Sequence, residues 1–349
     1  MDPKLLSALD ESLSGEHGNI DGMLVIRHGR IVYEQSYERD YDTPFDAGMQ
    51  TPGQYNYHDP EWHPYYQRGS LHTVQSVTKS VTSALIGIAI RRGEIDGVDV
   101  PVIDFLDGYE VANLDEWKQS MTLEDILTMR AGIEWDEDSV PYTDPENSCA
   151  GMEASDDWIQ FVVERPMSHQ PGQVFKYNSG ASHLLSLIIK VSTGQYVDEY
   201  AREHLFGPLG ISEFYWKKTP KGFPDTEGGL YLRPQDLAKI GYLYAIDGIW
   251  DGVRILPEGW VQDSVNRRIE DTGWDDKGYG YQWWLIPWGS EHTKYAYTCL
   301  GYGGQYLFVV PEHDLIAVFT GWNVYETPSL DVDYALGSVL EAVDIGTGR

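Results

Sequence analysis

The chain has 349 residues, with 25 Lys and Arg against 55 Asp and Glu, a formal net charge of −30, and 42% hydrophobic and 13% aromatic residues. That composition is globular, and the length suffices to bury a sizeable core as one large domain or two smaller ones. So acidic a surface repels phosphate backbones and anionic membranes, which argues against nucleic acid as a partner and leaves solubility, as in a saline habitat, as the plain meaning of the charge.

In chain order, residues 1–14 pattern as a short amphipathic helix, and residues 23–37 as a β-hairpin turning at His28-Gly29. Residues 38–69 are rich in Tyr, Pro, Asp and His without any period. A loop this long is expected to be functional, folding over a cleft with its Tyr and Trp side chains as walls. Its His58 and His63, with His72 beyond, fit no metal-ligand spacing, and no metal or cofactor is expected. Residues 72–93 read as a helix that is apolar on nearly every face from Val81 to Ile90 and stops at Arg91, Arg92 and Gly93. Thr122 to Asp125 carries a capping-box start for a helix ending near Gly132. Residues 133–154 form an acidic loop, and Ser155 is expected to cap a helix running to Glu164. Further helices are expected over about 181–193 and 196–205, and from Pro234 to Ala245. The C-terminal part changes to aromatic and β-branched runs at 279–287, 294–299, 305–310 and 315–320, with a turn at Pro311 to Asp314 and a closing helix over about 331–343.

Strands at both ends with helices between predict an α+β fold, an antiparallel sheet built from the two termini and flanked by helices. Residues 1–75 and 225–349 would form the sheet subdomain of a single unit, and residues 76–224 a mainly helical insertion. Cys149 and Cys299 make neither a disulfide framework nor a metal spacing and fit a reducing compartment. The N-terminus lacks a signal-peptide pattern, and no apolar run reaches membrane-spanning length. A cytoplasmic location is the expectation, with a trimmed secreted or periplasmic form as the alternative.

Three short stretches carry chemistry. Ser76 and Lys79 stand three residues apart at the start of the apolar helix, where positions i and i+3 share a face. An amine held by apolar surroundings at a positive helix N-terminus is expected to be neutral, and so able to take the serine proton. Phe175-Lys-Tyr177-Asn178-Ser179-Gly180 lies on a loop before a second helix. Gly301-Tyr302-Gly303-Gly304-Gln305 opens a late strand; lacking a last glycine and a following helix, it is not a dinucleotide fingerprint. There is no Gly-x-Ser-x-Gly elbow, His-Glu-x-x-His pair or phosphate-binding loop.

The order and spacing of these three stretches resemble the serine β-lactamase/penicillin-binding-protein superfamily, in particular its class C β-lactamase and family VIII esterase branch. Supporting stretches are Leu123 to Met129, Leu205 to Ile211 and Gly228 to Pro234. The resemblance implies a β-lactamase/transpeptidase-like fold, Ser76 as the acylated nucleophile, Lys79 as its activating base and Tyr177 as the proton shuttle to the leaving group. It also implies an oxyanion hole from the backbone N–H groups of Ser76 and Gln305, with Ser179, Tyr302, Gly303 and Gly304 beside the substrate. Two departures bear on specificity. Tyr302 stands where the family usually has Lys or His, a cation that helps hold the carboxylate of β-lactams, and Ser179 replaces the usual Asn. These variants are similar to the esterases and 6-aminohexanoate-dimer hydrolases of the branch, in which a loop tyrosine, here Tyr142, helps an amide nitrogen leave.

The expected function is therefore a serine hydrolase acting on small carboxylic esters, with amides as a second class. Alternatives are a β-lactamase or D,D-peptidase, an acyltransferase, and a non-catalytic binding or sensor domain. Glu134, Asp136, Glu137 and Asp138 read as a solvated acidic loop, with attraction of a substrate ammonium as the alternative.

Overall fold

Strands from the two ends of the chain meet in one antiparallel sheet in the computed structural model, which describes residues 1–17, 19–39, 67–68, 70–289, 291–322 and 329–344. In chain order the strands are β1 (Ile20–Arg27), β2 (Arg30–Ser36), β3 (Gln67–Arg68), β4 (Leu71–Thr73), β5 (Tyr215–Trp216), β6 (Leu230–Leu232), β7 (Ile249–Trp250) and β8 (Val253–Arg254). They continue as β9 (Gly278–Tyr279), β10 (Trp284–Trp288), β11 (Lys294–Gly301), β12 (Gln305–Val310) and β13 (Leu315–Gly321). The seven-stranded sheet runs β2-β1-β13-β12-β11-β10-β9, and a four-stranded one runs β3-β4-β6-β5. The longer helices are α1 (Pro3–Ser14), α2 (Val77–Arg91), α3 (Ser179–Thr193), α4 (Pro234–Ala245) and α5 (Val332–Asp344).

Alternation along the central strands sorts side chains onto two faces. Met23, Val25, Phe308, Val310, Ala317 and Phe319 pack with Leu9 and Leu13 of α1 and Leu336 and Val339 of α5. Leu24, Leu307, Val309, Ile316 and Val318 face the other way, joining the core that holds α2, α3 and α4. With both faces covered, β13 is buried along its whole length, so it reads as a continuous apolar run. The register Met23↔Phe319 and Leu24↔Val318 joins the N-terminal hairpin to the C-terminal strands in one open sheet.

The second face positions the chemistry. α2 is buried from Val77 to Ala89, which explains its lack of a polar stripe. Gly87 lets it lie against Trp260, whose ring is within 2.5 Å of where a Cβ would stand.

The structure corrects three boundaries. Residues 71–73 form β4 instead of the start of the helix, and Ser76 is the N-cap of α2. The helix expected from Ser155 begins at Trp158: the Asp157 carboxylate accepts from Gln160 N at 3.1 Å, whereas the Ser155 hydroxyl turns back to Met152 O at 2.7 Å. The run at 279–287 is broken at Gln282, whose φ of 62° cannot continue a strand. Its side chain donates instead to the Ile126 carbonyl at 2.9 Å. The small sheet also pairs β5 with β6 across the boundary expected at residue 224. Residues 40–66 and 69, including the aromatic residues, His58 and His63 of the expected covering loop, lie outside the described residues.

α3 carries an unusual core residue. His183 is fully buried, its ring edge-on to Trp158 at 5.2 Å, and neither ring nitrogen has a hydrogen-bond partner among the described residues. Burial, foremost, pushes its pKa down to about 4 from 6.5, with Lys217 adding to the effect and Asp225 opposing it. As pH falls from 6.5 towards 4, the unfolded chain takes up a proton that the native state refuses, so stability drops by up to roughly 3 kcal/mol. Urea unfolding at pH 7 and pH 4.5 should show this loss reduced in His183→Leu; an unchanged pH dependence would contradict it.

Candidate active site

The turn into α2 is strained where it delivers Ser76. Gln75 has a φ of 47°, in the left-handed region, and its side chain is tied to Thr73 Oγ1 at 2.9 Å. Ser76 then opens the helix, and one turn on Lys79 Nζ donates to Ser76 Oγ at 2.9 Å. Lys79 is only 1% exposed. Its ammonium is held from below by the Glu227 carbonyl at 2.7 Å and the Glu227 carboxylate at 3.5 Å, and it lies 5.1 Å from the centre of the Tyr177 ring.

These neighbours overturn the neutral amine expected from an apolar setting. Burial, the largest single influence, lowers the Lys79 pKa, but Tyr177, Glu227 and Glu137 together outweigh it and hold the amine above its ordinary value. Burial raises Tyr177 as well, with Lys79 only partly offsetting it. Both shifts run in the direction of an ammonium beside a neutral phenol, with the carboxylates as the charges that favour the ammonium.

Ser76 and Tyr177 line a cavity of about 690 Å³ together with Tyr142 and Tyr302. On one wall, Trp284 stacks on Tyr177 at 6.1 Å and meets Trp274 edge-on at 5.1 Å. On the other, Tyr142 and Tyr302 approach to 5.2 Å. Leu300 and Gly301, the end of β11, complete the wall beside Ser76. A Cβ on Gly301 would lie 2.5 Å from the Val74 carbonyl, so only glycine lets β11 come this close to the entrance of α2. The charged groups among the described lining residues are Asp138 and Asp331, both acidic.

Four residues expected beside the substrate are placed elsewhere. Gln305 sits on β12 opposite Gly301, fully buried, with its side chain bonded to the Gly321 carbonyl and to Gly321 N. It is absent from the cavity lining among the described residues. Gly303 and Gly304 have φ of 87° and 95° and make the turn between β11 and β12. Ser179 is 1% exposed, and its N–H and hydroxyl both donate to Glu137, at 3.0 and 2.8 Å.

That Glu137 is no solvated loop residue. It is 2% exposed and also accepts from Trp135 Nε1 and, at 3.2 Å, from the Tyr142 hydroxyl. Burial pushes its pKa up, while Lys79 and these donors draw it down. It fixes Tyr142 and the N-terminus of α3 as one unit, and Asn178 caps that helix by accepting from Ala181 N at 2.7 Å. Glu137, Glu227, Trp274, Trp284 and Leu300 were not found from the sequence. Glu137 sat among three other acidic residues, and Glu227 belongs to no motif.

The Beta-lactamase family model matches residues 10–336, so the chain belongs to the beta-lactamase family, with the β-lactamase/transpeptidase-like fold and as a serine hydrolase of that superfamily. The 6-aminohexanoate-dimer hydrolase of Paenarthrobacter ureafaciens is 24% identical over 309 residues, covering 79% of this chain and 76% of that relative. A Bacillus anthracis structure, provisionally assigned as a 6-aminohexanoate-dimer hydrolase, superposes with a TM-score of 0.73 at 21% identity, over 98% of this chain and 82% of the other. EstCE1, a hydrolase with promiscuous acyltransferase activity, superposes with a TM-score of 0.71 at 15% identity over 98% of both chains. No helix among the described residues is long and apolar enough to cross a membrane.

Proposed function

We propose that the protein hydrolyses small carboxylic esters, and amides as a second class, through an acyl-enzyme on Ser76. The observation that carries this is the 2.9 Å contact between Lys79 Nζ and Ser76 Oγ at the floor of a cavity walled by Tyr177. Ser76 Oγ attacks the carbonyl carbon and its proton passes to Lys79, once the amine has given up a proton of its own. The carbonyl π electrons move to oxygen, and this oxyanion takes hydrogen bonds from Ser76 N–H and from the backbone at the Gly301–Tyr302 end of β11. That strand end replaces Gln305 as the second donor, because it borders the cavity and Gln305 does not. As the tetrahedral intermediate collapses, the Tyr177 hydroxyl protonates the leaving oxygen or nitrogen and is reprotonated from Lys79. Water, activated by the same pair, then attacks the Ser76 ester and releases the acid.

The wall supports neutral substrates. Tyr302 and Leu300 stand beside Ser76, and the charged groups among the described lining residues are carboxylates, which repel the carboxylate of a penicillin or a peptide C-terminus. Tyr142, anchored on Glu137, is the group suited to assisting an amide nitrogen to leave. Intact-mass measurement after mixing with p-nitrophenyl esters, anilides and benzylpenicillin tests the assignment. The expected result is an acyl adduct mapped to Ser76 from the ester and none from the penicillin. A stable penicillin adduct with no ester turnover would establish the penicillin-binding alternative instead.

A further inference from the structure

The resting site has its protons in the wrong places for the chemistry above. Lys79 donates to Ser76 Oγ, and an ammonium cannot accept the serine proton. Something in contact with Lys79 must take one proton first.

We propose that Glu227 is the positioning residue that receives this proton, turning the Lys79 ammonium into the free amine Ser76 needs; the proposal rests on the reading of Ser76 and Lys79 as nucleophile and base. The Glu227 carboxylate is 3.5 Å from Lys79 Nζ, while its backbone carbonyl holds the same nitrogen at 2.7 Å. Catalytic hydrogen bonds are often long in an empty site and tighten with substrate bound. The acceptor is therefore a separate contact of the amine from Ser76 Oγ, so the proton can leave Lys79 without passing through the nucleophile.

A count of charges around Glu227 shows why it is the carboxylate with room for a proton. Glu153, Asp225 and Glu227 present oxygens within 4.8 Å of one another. Lys217 closes on two of them, Glu153 and Asp225, at 3.1 Å each, occupying the place a cation would fill. Asp225 is further fixed as an anion by accepting from Glu227 N at 3.0 Å and Gly228 N at 3.1 Å. Among the described residues, the Glu227 carboxylate is left with the longer contact to Lys79 alone. Cys149, which also faces the cluster, is held as a thiol by burial above all and by Glu227 and its neighbours. Burial, foremost, and Asp225 outweigh Lys79 and Lys217 and raise the Glu227 carboxyl to about 8, so it is the ionised form, present near and above that pH, that takes the proton.

The step balances. The Lys79 N–H bond breaks and leaves its electron pair on Nζ, and the proton forms an O–H bond on Glu227 Oε2. Two charges become two neutral groups inside a buried site, which low dielectric makes easier than it would be in water. The reverse transfer restores the pair after deacylation.

The test is the pH profile of kcat/KM for a p-nitrophenyl ester with wild type, Ser76→Ala, Glu227→Gln and Glu227→Asp. In wild type the acid limb marks protonation of the acceptor. Without a carboxylate, Lys79 must lose its proton to solvent. Glu227→Gln should therefore lower kcat/KM by about 10²-fold at pH 8.5, just above the wild-type limb, and move the acid limb to higher pH by at least about one unit, with activity recovering in alkali. Glu227→Asp should keep the limb near its wild-type position. A counter-ion with no role in proton transfer predicts the opposite sign, because removing a negative charge makes the ammonium easier to discharge and moves the limb to lower pH. A limb that stays put or moves down in Glu227→Gln overturns the proposal. If Glu227→Gln fails to fold, side-chain carbon NMR of the wild type, with Glu227→Asp to assign the signal, must show Glu227 titrating with the kinetic limb; a separate titration overturns it. Equal turnover by wild type and Ser76→Ala would instead bring down the acyl-enzyme reading itself.

Discussion

Ser76→Ala is expected to lower kcat/KM for every ester the wild type turns over by about 10⁴-fold or more, since a nucleophile that works as a unit with its base loses nearly everything when removed. Stability should change by less than about 1 kcal/mol, because the Ser76 side chain makes no capping hydrogen bond to α2 and gives up only its contacts with Lys79 and Tyr177 among the described residues. Steady-state rates with a chromogenic ester, paired with thermal melting, provide the measurement. A variant that keeps a tenth of wild-type activity would exclude Ser76 as the acylated residue.

Tyr177→Phe should leave binding and folding almost intact while lowering kcat by about 10²- to 10⁴-fold. The phenylalanine ring keeps its stacking on Trp284 and its place over the Lys79 ammonium; only the hydroxyl is lost. Tyr177 hydrogen-bonds to both Ser76 and Lys79 and lines the cavity, so without its hydroxyl the leaving group loses the acid that Lys79 recharges. The effect should grow with the basicity of the leaving group, small for p-nitrophenolate and large for an alkoxide or an amine. If Tyr177 were only a packing aromatic, kcat would be unchanged across that series.

Much of the fold was legible because local chemistry and tertiary need coincide. The helix over α2 announces itself by being apolar on every face, and Pro234 begins α4 where its fixed φ and missing N–H cost nothing. The errors fall where a distant partner decides. Gln282 breaks an apolar run because its amide is claimed by the Ile126 carbonyl, 156 positions away in sequence. Gly303 and Gly304 were placed beside the substrate by the resemblance of the 301–305 stretch, and their positive φ shows them in use as the turn between β11 and β12.

The sequence alone determined the family-like order of Ser76, Lys79 and Tyr177, the sheet built from both termini, and the absence of a lysine at position 302, because these depend on residue type and spacing along the chain. The tertiary structure alone decided the protonation of the site and the identity of its walls. Charge state depends on which buried groups lie within a few ångströms, and Glu227 reaches Lys79 from 148 positions away while Glu137 reaches Ser179 from 42. For the same reason Gln305, adjacent to the late glycines in sequence, drops out of the site: one strand turn carries it from the cavity edge at Gly301 to the buried neighbour strand.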